Sequence, residues 1–353
     1  MAQALRLARR GLYTTDPNPR VGCVVVRQGR IVGQGWHQQA GAPHAEVHAL
    51  AEAGEEARGA TIYVTLEPCS HHGRTPPCAD ALVAAGVARV VAAMEDPNPE
   101  VSGRGMARLR AAGIEVAVGL LSEQAEALNP GFVSRMRRQL PHVRCKLAMS
   151  LDGRTAMASG ESKWITSAAA RADVQRLRAR SSAIVTGIGT VLADDPRLDV
   201  RLDEPVKQPL RVVLDRRARF PARARMLATG GEVLVATAAG MGPALPERVV
   251  ALELAERGRG LDLHGLMRRL ARRQINEVLV ESGPTLAGAM LEAGLIDELV
   301  IYMAPHLMGD DARGLFHLPG LSRMEQRIDL DIIDLRQVGP DLRLTARPRL
   351  REK

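Results

Sequence analysis

The sequence predicts an α/β protein of two consecutive domains, residues 1–140 and 141–353. Three observations lead there. Short apolar runs rich in Val and Ile alternate with segments carrying a helical apolar stripe along nearly the whole chain. A length of 353 residues suits two domains of ordinary size, each able to bury its own core. At Gln139-Leu140-Pro141-His142 the pattern resets, and a new β-rich run opens a second set of alternating elements.

In the first half, residues 2–10 carry a helical stripe that stops at Gly11. Asp16-Pro17-Asn18-Pro19-Arg20-Val21-Gly22 forms a rigid turn into a strand, Cys23–Arg27, and Gly29 turns the chain back into Ile31–Trp36. His44 opens a helix through Ala53, and Ala60–Leu66 is a buried strand ending at the turn Pro68-Cys69. A helix (Ala79–Ala85), a strand (Val87–Met94), a helix (Met106–Ala112) stopped by Gly113, a strand (Ile114–Val118) and a helical run around Glu123–Leu140 follow. One mixed sheet between helices makes this half a three-layer sandwich. In the second half the strands are Val143–Met149, Ser182–Thr186, Leu210–Asp215, Val233–Ala236, Glu277–Glu281 and Glu298–Met303. Helices lie between them, including Arg171–Ala179 and Leu263–Arg273. The basic tail Arg347–Lys353 reads as a solvated end.

The chemistry concentrates between His44 and Cys78. His44-Ala45-Glu46-Val47-His48 is followed, after a helix and a strand, by Pro68-Cys69 and then Cys78. One His and two Cys make a three-ligand zinc set with a fourth position open for water. Zinc so held lowers the pKa of that water, and a carboxylic acid must then carry the proton to a departing amine. Glu46, two residues after the His, is the candidate. Alone, each residue reads as a helix-face histidine or a buried thiol. In this order they form the H-x-E…P-C…C signature of zinc deaminases of nucleobases. Members that edit nucleic acids use a compact P-C-x-x-C turn, whereas eight residues separate Cys69 from Cys78 here. That polar loop holds His71 and His72, which either replace a ligand or line the loop. His48 does not complete an H-E-x-x-H pair, because the Glu is at the wrong offset.

Composition narrows the partners. The net charge of +8 invites a nucleic-acid reading, but the charge is mostly arginine spread along the chain, and aromatic residues make up 2%. Phosphorylated small molecules explain the arginine equally well. Of four cysteines, Cys23 and Cys145 sit in apolar runs as free thiols, so no disulfide framework is expected. With no signal-peptide pattern and no membrane-spanning run, the chain reads as cytoplasmic.

The second half lacks a dinucleotide fingerprint, since Gly187-Ile188-Gly189 has no third glycine in register. Val280-Glu281-Ser282-Gly283-Pro284-Thr285-Leu286-Ala287-Gly288 is more informative. There a strand ends, a glycine turns, and a helix start offers N–H groups to a phosphate, or simply makes a β–α turn. Trp164, among small polar residues, either faces a ligand or is half-buried packing.

With these motifs read, the chain resembles the bifunctional deaminase–reductases of riboflavin biosynthesis over essentially its whole length. The resemblance is carried by Pro17–Gly22, His44–His48 and the Pro68-Cys69 to Pro77-Cys78 loop. In the second half it is carried by Lys146-Leu147-Ala148, Ser150–Gly153, Gly160-Glu161-Ser162, Trp164-Ile165-Thr166, Thr190–Pro196 and Glu281–Pro284. It implies a cytidine-deaminase-like first domain and a dihydrofolate-reductase-like second domain. The first would remove the 2-amino group of a diamino-ribosylamino-pyrimidinone 5′-phosphate; the second would reduce the ribosyl group to ribityl with NADPH. His44, Cys69 and Cys78 would bind zinc, Glu46 would shuttle the proton, and Asn18 would touch the pyrimidine. Ala148, Trp164, Thr190, Asp194 and the turn Gly283, Pro284, Thr285, Leu286, Ala287, Gly288 and Ala289 match cofactor positions. Ser162, Arg178, Leu198, Arg201 and Glu281 match substrate positions, the two arginines as forked donors to a phosphate ester. Arg216 departs from the small hydroxyl residue expected there. A homo-oligomer, dimer or tetramer, built through the reductase domain is also implied. The rival is a zinc deaminase of nucleosides or tRNA with an unrelated second domain.

Overall fold

The computed structural model describes residues 1–70, 77–99, 101–241, 245–258 and 260–349. The described residues divide into two compact units that part between Leu140 and Pro141.

Among its described residues the first unit has the α-helices α1 (Ala2–Ala8), α2 (Ala45–Ala53), α3 (Cys78–Ala84), α4 (Arg104–Ala111), α5 (Ser122–Leu128) and α6 (Pro130–Arg138). Its strands are β1 (Gly22–Arg27), β2 (Arg30–Trp36), β3 (Thr61–Val64), β4 (Arg89–Ala92) and β5 (Glu115–Val118). They form one sheet of order β2-β1-β3-β4-β5, antiparallel on the β1 side and parallel from β3 to β5. Val25, Ile62, Val64, Leu82, Val90 and Leu109 fill its core. Two glycines let α2 lie backbone to backbone on the sheet. A Cβ at Gly33 would stand 2.3 Å from the Ala49 carbonyl, and one at Gly35 2.5 Å from that of Ala45. This contact fixes the start of α2, where His44 and Glu46 sit.

One expected element breaks. The run expected to be helical from Glu123 to Leu140 is two helices, because Pro130 takes the first position of α6. Proline has no N–H for a continuing helix and clashes with the turn before it. The break is used: Asn129 Oδ1 accepts from Arg20 N at 2.8 Å, and its amide donates to Arg20 O at 3.0 Å. The Pro-rich turn is thereby pinned.

The second unit begins with β6 (His142–Ser150), β7 (Arg154–Ala156), α7 (Ala168–Ala179), β8 (Ala183–Gly187) and α8 (Ile188–Asp194). β9 (Leu210–Leu214), β10 (Val233–Ala238), β11 (Val249–Leu254), β12 (Glu256–Arg257), β13 (Gly260–Leu261) and α9 (Leu263–Arg272) follow. β14 (Glu277–Glu281), α10 (Pro284–Glu292), β15 (Glu298–Ala304), β16 (Arg313–Gly314), β17 (Asp329–Val338) and β18 (Asp341–Arg349) complete it. Nine strands make one sheet of order β11-β10-β9-β8-β14-β6-β15-β18-β17. It is parallel from β11 to β15 and antiparallel through β18 and β17. In such sheets ligands bind outside the carboxyl ends of the strands.

The C-terminal reading is corrected here. Arg347–Arg349 are not a solvated end but the last residues of β18, and Arg349 pairs with Asp331 across the hairpin. Its partner strand β17 is exposed along most of its length, so no in–out alternation marks it in the sequence. Cys23 and Cys145 are buried free thiols, as expected. Among the described residues, no helix is long and apolar enough to cross a membrane.

Candidate active sites

Three elements deliver the metal-type side chains of the first unit. His44 is the extended N-cap of α2, Cys69 lies in the turn after β3, and Cys78 is the first residue of α3. Their donor atoms lie within 4.8 Å of one another. His44 Nδ1 is 3.2 Å from Cys78 Sγ and 3.6 Å from Cys69 Sγ. A zinc tetrahedron puts an imidazole nitrogen and a thiolate about 3.6 Å apart, given its usual bond lengths. Two thiols and an imidazole at this spacing fit zinc. The backbone N–H of Cys78 donates to Cys69 Sγ at 3.3 Å. Hydrogen bonds from Cys78 and His44 pull the Cys69 thiol down to about 4, and the same sharing pushes the Cys78 thiol up.

Glu46 is 3% exposed, and burial raises its carboxyl to about 7. An acid with that pKa exchanges protons readily near neutral pH. It also shares a hydrogen bond with Cys78, so it stands beside the ligand set. His48 stays outside that set: it packs against Gly35, and its Nε2 is buried without a partner. His71 and His72 lie outside the described residues.

Sequence reasoning missed His37. Asn18 Nδ2 lies 3.0 Å from His37 Nε2, and His37 Nδ1 lies 3.2 Å from the Pro43 carbonyl. Nδ1 therefore carries the proton and Nε2 accepts from the Asn18 amide. The His37 ring also meets His44 edge to face at 5.3 Å. The only sequence signal was a histidine just past the end of β2, which is too little to act on.

In the second unit the residues matched to a cofactor gather at the carboxyl ends of β6, β8 and β14. Ala148 is on β6, Thr190 and Asp194 are on α8, and the segment from Gly283 to Ala289 opens α10. α10 starts on Gly283 with Pro284 first, and no side chain caps it. A Cβ on Gly187 would meet Leu286 at 3.8 Å, so the starts of α8 and α10 are neighbours. Lys163 Nζ reaches Asp194 O at 3.2 Å and brings the Trp164 segment to α8. Trp164 is 70% exposed, with the Arg171 guanidinium 4.5 Å from its ring centre, so it is not half-buried packing.

The substrate-type residues meet around Glu281. Arg178 grips it with two bonds, 2.6 and 2.9 Å, and donates to Asp199 O at 3.1 Å. Its fork is thus turned inward, whereas Arg201 is half-exposed and pairs with buried Asp199. Leu198 is buried at φ +50°. Ser162 lies on the 160–164 segment, which reaches α8 through Lys163, and makes no hydrogen bond to this group among the described residues. Sequence reasoning assigned no role to Lys146 or Asp199. Burial lowers the Lys146 ammonium although the Glu281 charge opposes it, so an ammonium that gives up its proton more easily than usual sits midway along β6, opposite Glu281, the last residue of β14. Arg216, at the end of β9, pairs with Glu256.

The fold and the His–Cys–Cys geometry define the first unit as a zinc-binding deaminase domain joined to a reductase-type α/β unit. Residues 1–94 match the family of the cytidine and deoxycytidylate deaminase zinc-binding region, and residues 141–344 match the RibD C-terminal domain. The chain is 56% identical over 354 residues to the riboflavin biosynthesis protein RibD of Escherichia coli, covering 97% of this chain and 96% of that one. The Acinetobacter baumannii RibD structure superposes with a TM-score of 0.92 at 49% identity, covering 99% and 98% of the two chains. The diaminohydroxyphosphoribosylaminopyrimidine deaminase/5-amino-6-(5-phosphoribosylamino)uracil reductase of Thermotoga maritima superposes at 0.89 with 36% identity, covering 99% and 97%. The chain belongs to the RibD family, the two-part deaminase and reductase of riboflavin biosynthesis.

Proposed function

We propose that residues 1–140 hydrolyse the 2-amino group of 2,5-diamino-6-ribosylamino-4(3H)-pyrimidinone 5′-phosphate, and that residues 141–353 then reduce its ribosyl group to ribityl with NADPH. The observation that carries this is the convergence of His44, Cys69 and Cys78 beside buried Glu46. Zinc held by these three side chains would acidify a water and polarise the ring carbon's surroundings. Glu46 holds and moves the proton that passes from that water to the departing ammonia. Asn18, oriented by His37, presents its remaining amide oxygen to a pyrimidine N–H.

In the second unit the cofactor would lie across the carboxyl ends of β6, β8 and β14, with its pyrophosphate on the first turn of α10. NADPH supplies the hydride. Ala148, Trp164, Thr190 and Asp194 line its path, while Arg201, Ser162, Leu198 and the Arg178–Glu281 pair position the sugar phosphate. Lys146 stands ready to give a proton to the reduced sugar oxygen. NADPH rather than NADH is favoured by Arg217, Arg219 and Arg223 on the exposed loop after β9. These have no ion-pair partner among the described residues and offer charge to a 2′-phosphate. Reduced, buried thiols and thiolate ligands suit the cytoplasm.

The test is one coupled assay on zinc-loaded protein, following ammonia and nicotinamide oxidation separately, with NADPH and NADH in parallel. Ammonia should appear without cofactor, and oxidation only after it, with NADPH preferred. Ammonia without oxidation of either nucleotide would remove the reductase reading. Neither signal would turn attention to nucleosides or tRNA.

The second unit also offers a surface for a second copy of the chain. Among the described residues β17 pairs only with β18, and this edge strand exposes Ile332 (65%) and Leu335 (59%) along with Leu330 and Ile333. An open, apolar edge strand of this kind is covered in stable proteins, most simply by a two-fold mate. Ile332→Asp is expected to reduce the mass measured by light scattering to that of one chain. An oligomer that survives this change would place the interface elsewhere.

A further inference from the structure

Glu67 joins β3 to the Pro68-Cys69 turn and is 3% exposed. It has no ion-pair partner among the described residues. Its carboxylate instead accepts four backbone N–H groups. Oε1 takes Gly105 at 2.9 Å and Met106 at 3.3 Å; Oε2 takes Gly103 at 3.0 Å and Asp96 at 3.1 Å. Gly103 is the N-cap of α4, and Gly105 and Met106 are its second and third residues. The carboxylate thus saturates the open donors of that helix, with the sign its dipole favours. Asp96 belongs to the loop after β4, and the N–H of Glu67 itself donates to Met94 O at 3.0 Å. One side chain therefore locks the ends of β3 and β4 to the start of α4. The helix in turn touches the metal loop. A Cβ on Gly105 would lie 1.9 Å from the Pro68 carbonyl, so two backbones are in direct contact one peptide before Cys69.

We infer that Glu67 is the positioning residue of the metal site. Through α4 it fixes the Pro68 carbonyl, and with it the place where Cys69 Sγ meets His44 and Cys78. A simple helix cap would use one or two of these bonds; four on one buried carboxylate leave the turn no freedom to drift. The inference rests on the reading of His44, Cys69 and Cys78 as the zinc set. Groups that orient metal ligands in this way typically govern about 10–100-fold in metal affinity.

Glu67→Gln tests it, because the amide keeps the shape but turns two donors toward N–H groups. Zinc affinity, measured by competition with a chromophoric chelator, is expected to fall about 10–100-fold. In the cobalt(II)-loaded variant the d–d and thiolate charge-transfer bands should shift, while reduction of pre-deaminated substrate stays at the wild-type rate. Gly105→Ala presses on the same contact from the helix side and should shift the same bands; Glu67→Asp, which keeps the charge, should recover part of the affinity. Should Glu67→Gln fail to fold, these two variants decide. Wild-type zinc affinity and an unchanged cobalt spectrum in the folded variants, with only a lower melting temperature, would reduce Glu67 to a helix cap and overturn the inference. Wild-type protein that binds no zinc at all would remove the metal-site reading itself, an outcome visible before any variant is compared.

Discussion

Glu46→Gln is expected to lower ammonia release by about 10²–10⁴-fold, the usual worth of a positioned acid–base group. Zinc content and NADPH-dependent reduction should stay at wild-type levels. The amide fills the same buried space and can still meet the Cys78 thiol, so the fold has no reason to change. What it loses is the exchangeable proton. Burial has raised the Glu46 carboxyl to about 7, which lets one group both take and return a proton near neutral pH; an amide does neither. Ammonia release, metal content and reduction of pre-deaminated substrate, measured on one preparation, separate the effects. A variant that deaminates at more than a tenth of the wild-type rate would take the proton-carrying role from Glu46. One that loses its zinc would instead make it part of the metal's support.

The metal site could be read from the sequence because zinc dictates residue types. His44, Cys69 and Cys78 announce themselves by chemistry, and the alternation of apolar runs fixed which lie at a helix start and which at a strand end. His37 and Glu67 could not be read in the same way. Their roles depend on hydrogen bonds to Asn18 and to the backbone of α4, partners 19 and 36–39 residues away for the bonds concerned, with no spacing rule to mark them. The fold was legible where strands are buried on both faces, as in β8 and β14, whose central apolar runs Ala-Ile-Val and Val-Leu-Val are unbroken. It failed where one residue or exposure outweighed pattern. Pro130 split a run of helical periodicity, and β17 carries Asp and Arg between Ile and Leu on an open edge. In the reductase unit the family resemblance matched Arg178 and Arg201 together to substrate positions, as phosphate donors. Only three dimensions show that Glu281 occupies the Arg178 fork, leaving Arg201 as the more exposed of the two.

That difference makes Arg178→Ala the second large effect. The Arg178 and Glu281 side chains are 13% and 11% exposed, and truncating one partner of such a pair costs about 3–5 kcal/mol. Burial alone would raise the Glu281 carboxyl; the charge and hydrogen bonds of Arg178 outweigh it and hold the group below its ordinary value of 4.5. A depressed carboxyl contributes stability above its unfolded pKa and loses it as pH falls through the folded one. The variant should therefore unfold at lower urea at neutral pH, with a flatter acid limb below about pH 4.5, where the wild type still has this contribution to lose. Reduction should fall as well, since the carboxylate would turn toward Lys146 and occupy the proton donor. Arg144→Ala is the control. Arg144 is more deeply buried still, between Glu277 and Glu298, but at the amino ends of β6, β14 and β15. It should lose comparable stability, yet under conditions where both variants remain folded it should keep the wild-type kcat/KM for reduction. If Arg178→Ala also keeps that kcat/KM, the pair is architecture and Arg178 leaves the substrate set; if both lose it equally, stability rather than position controls the rate.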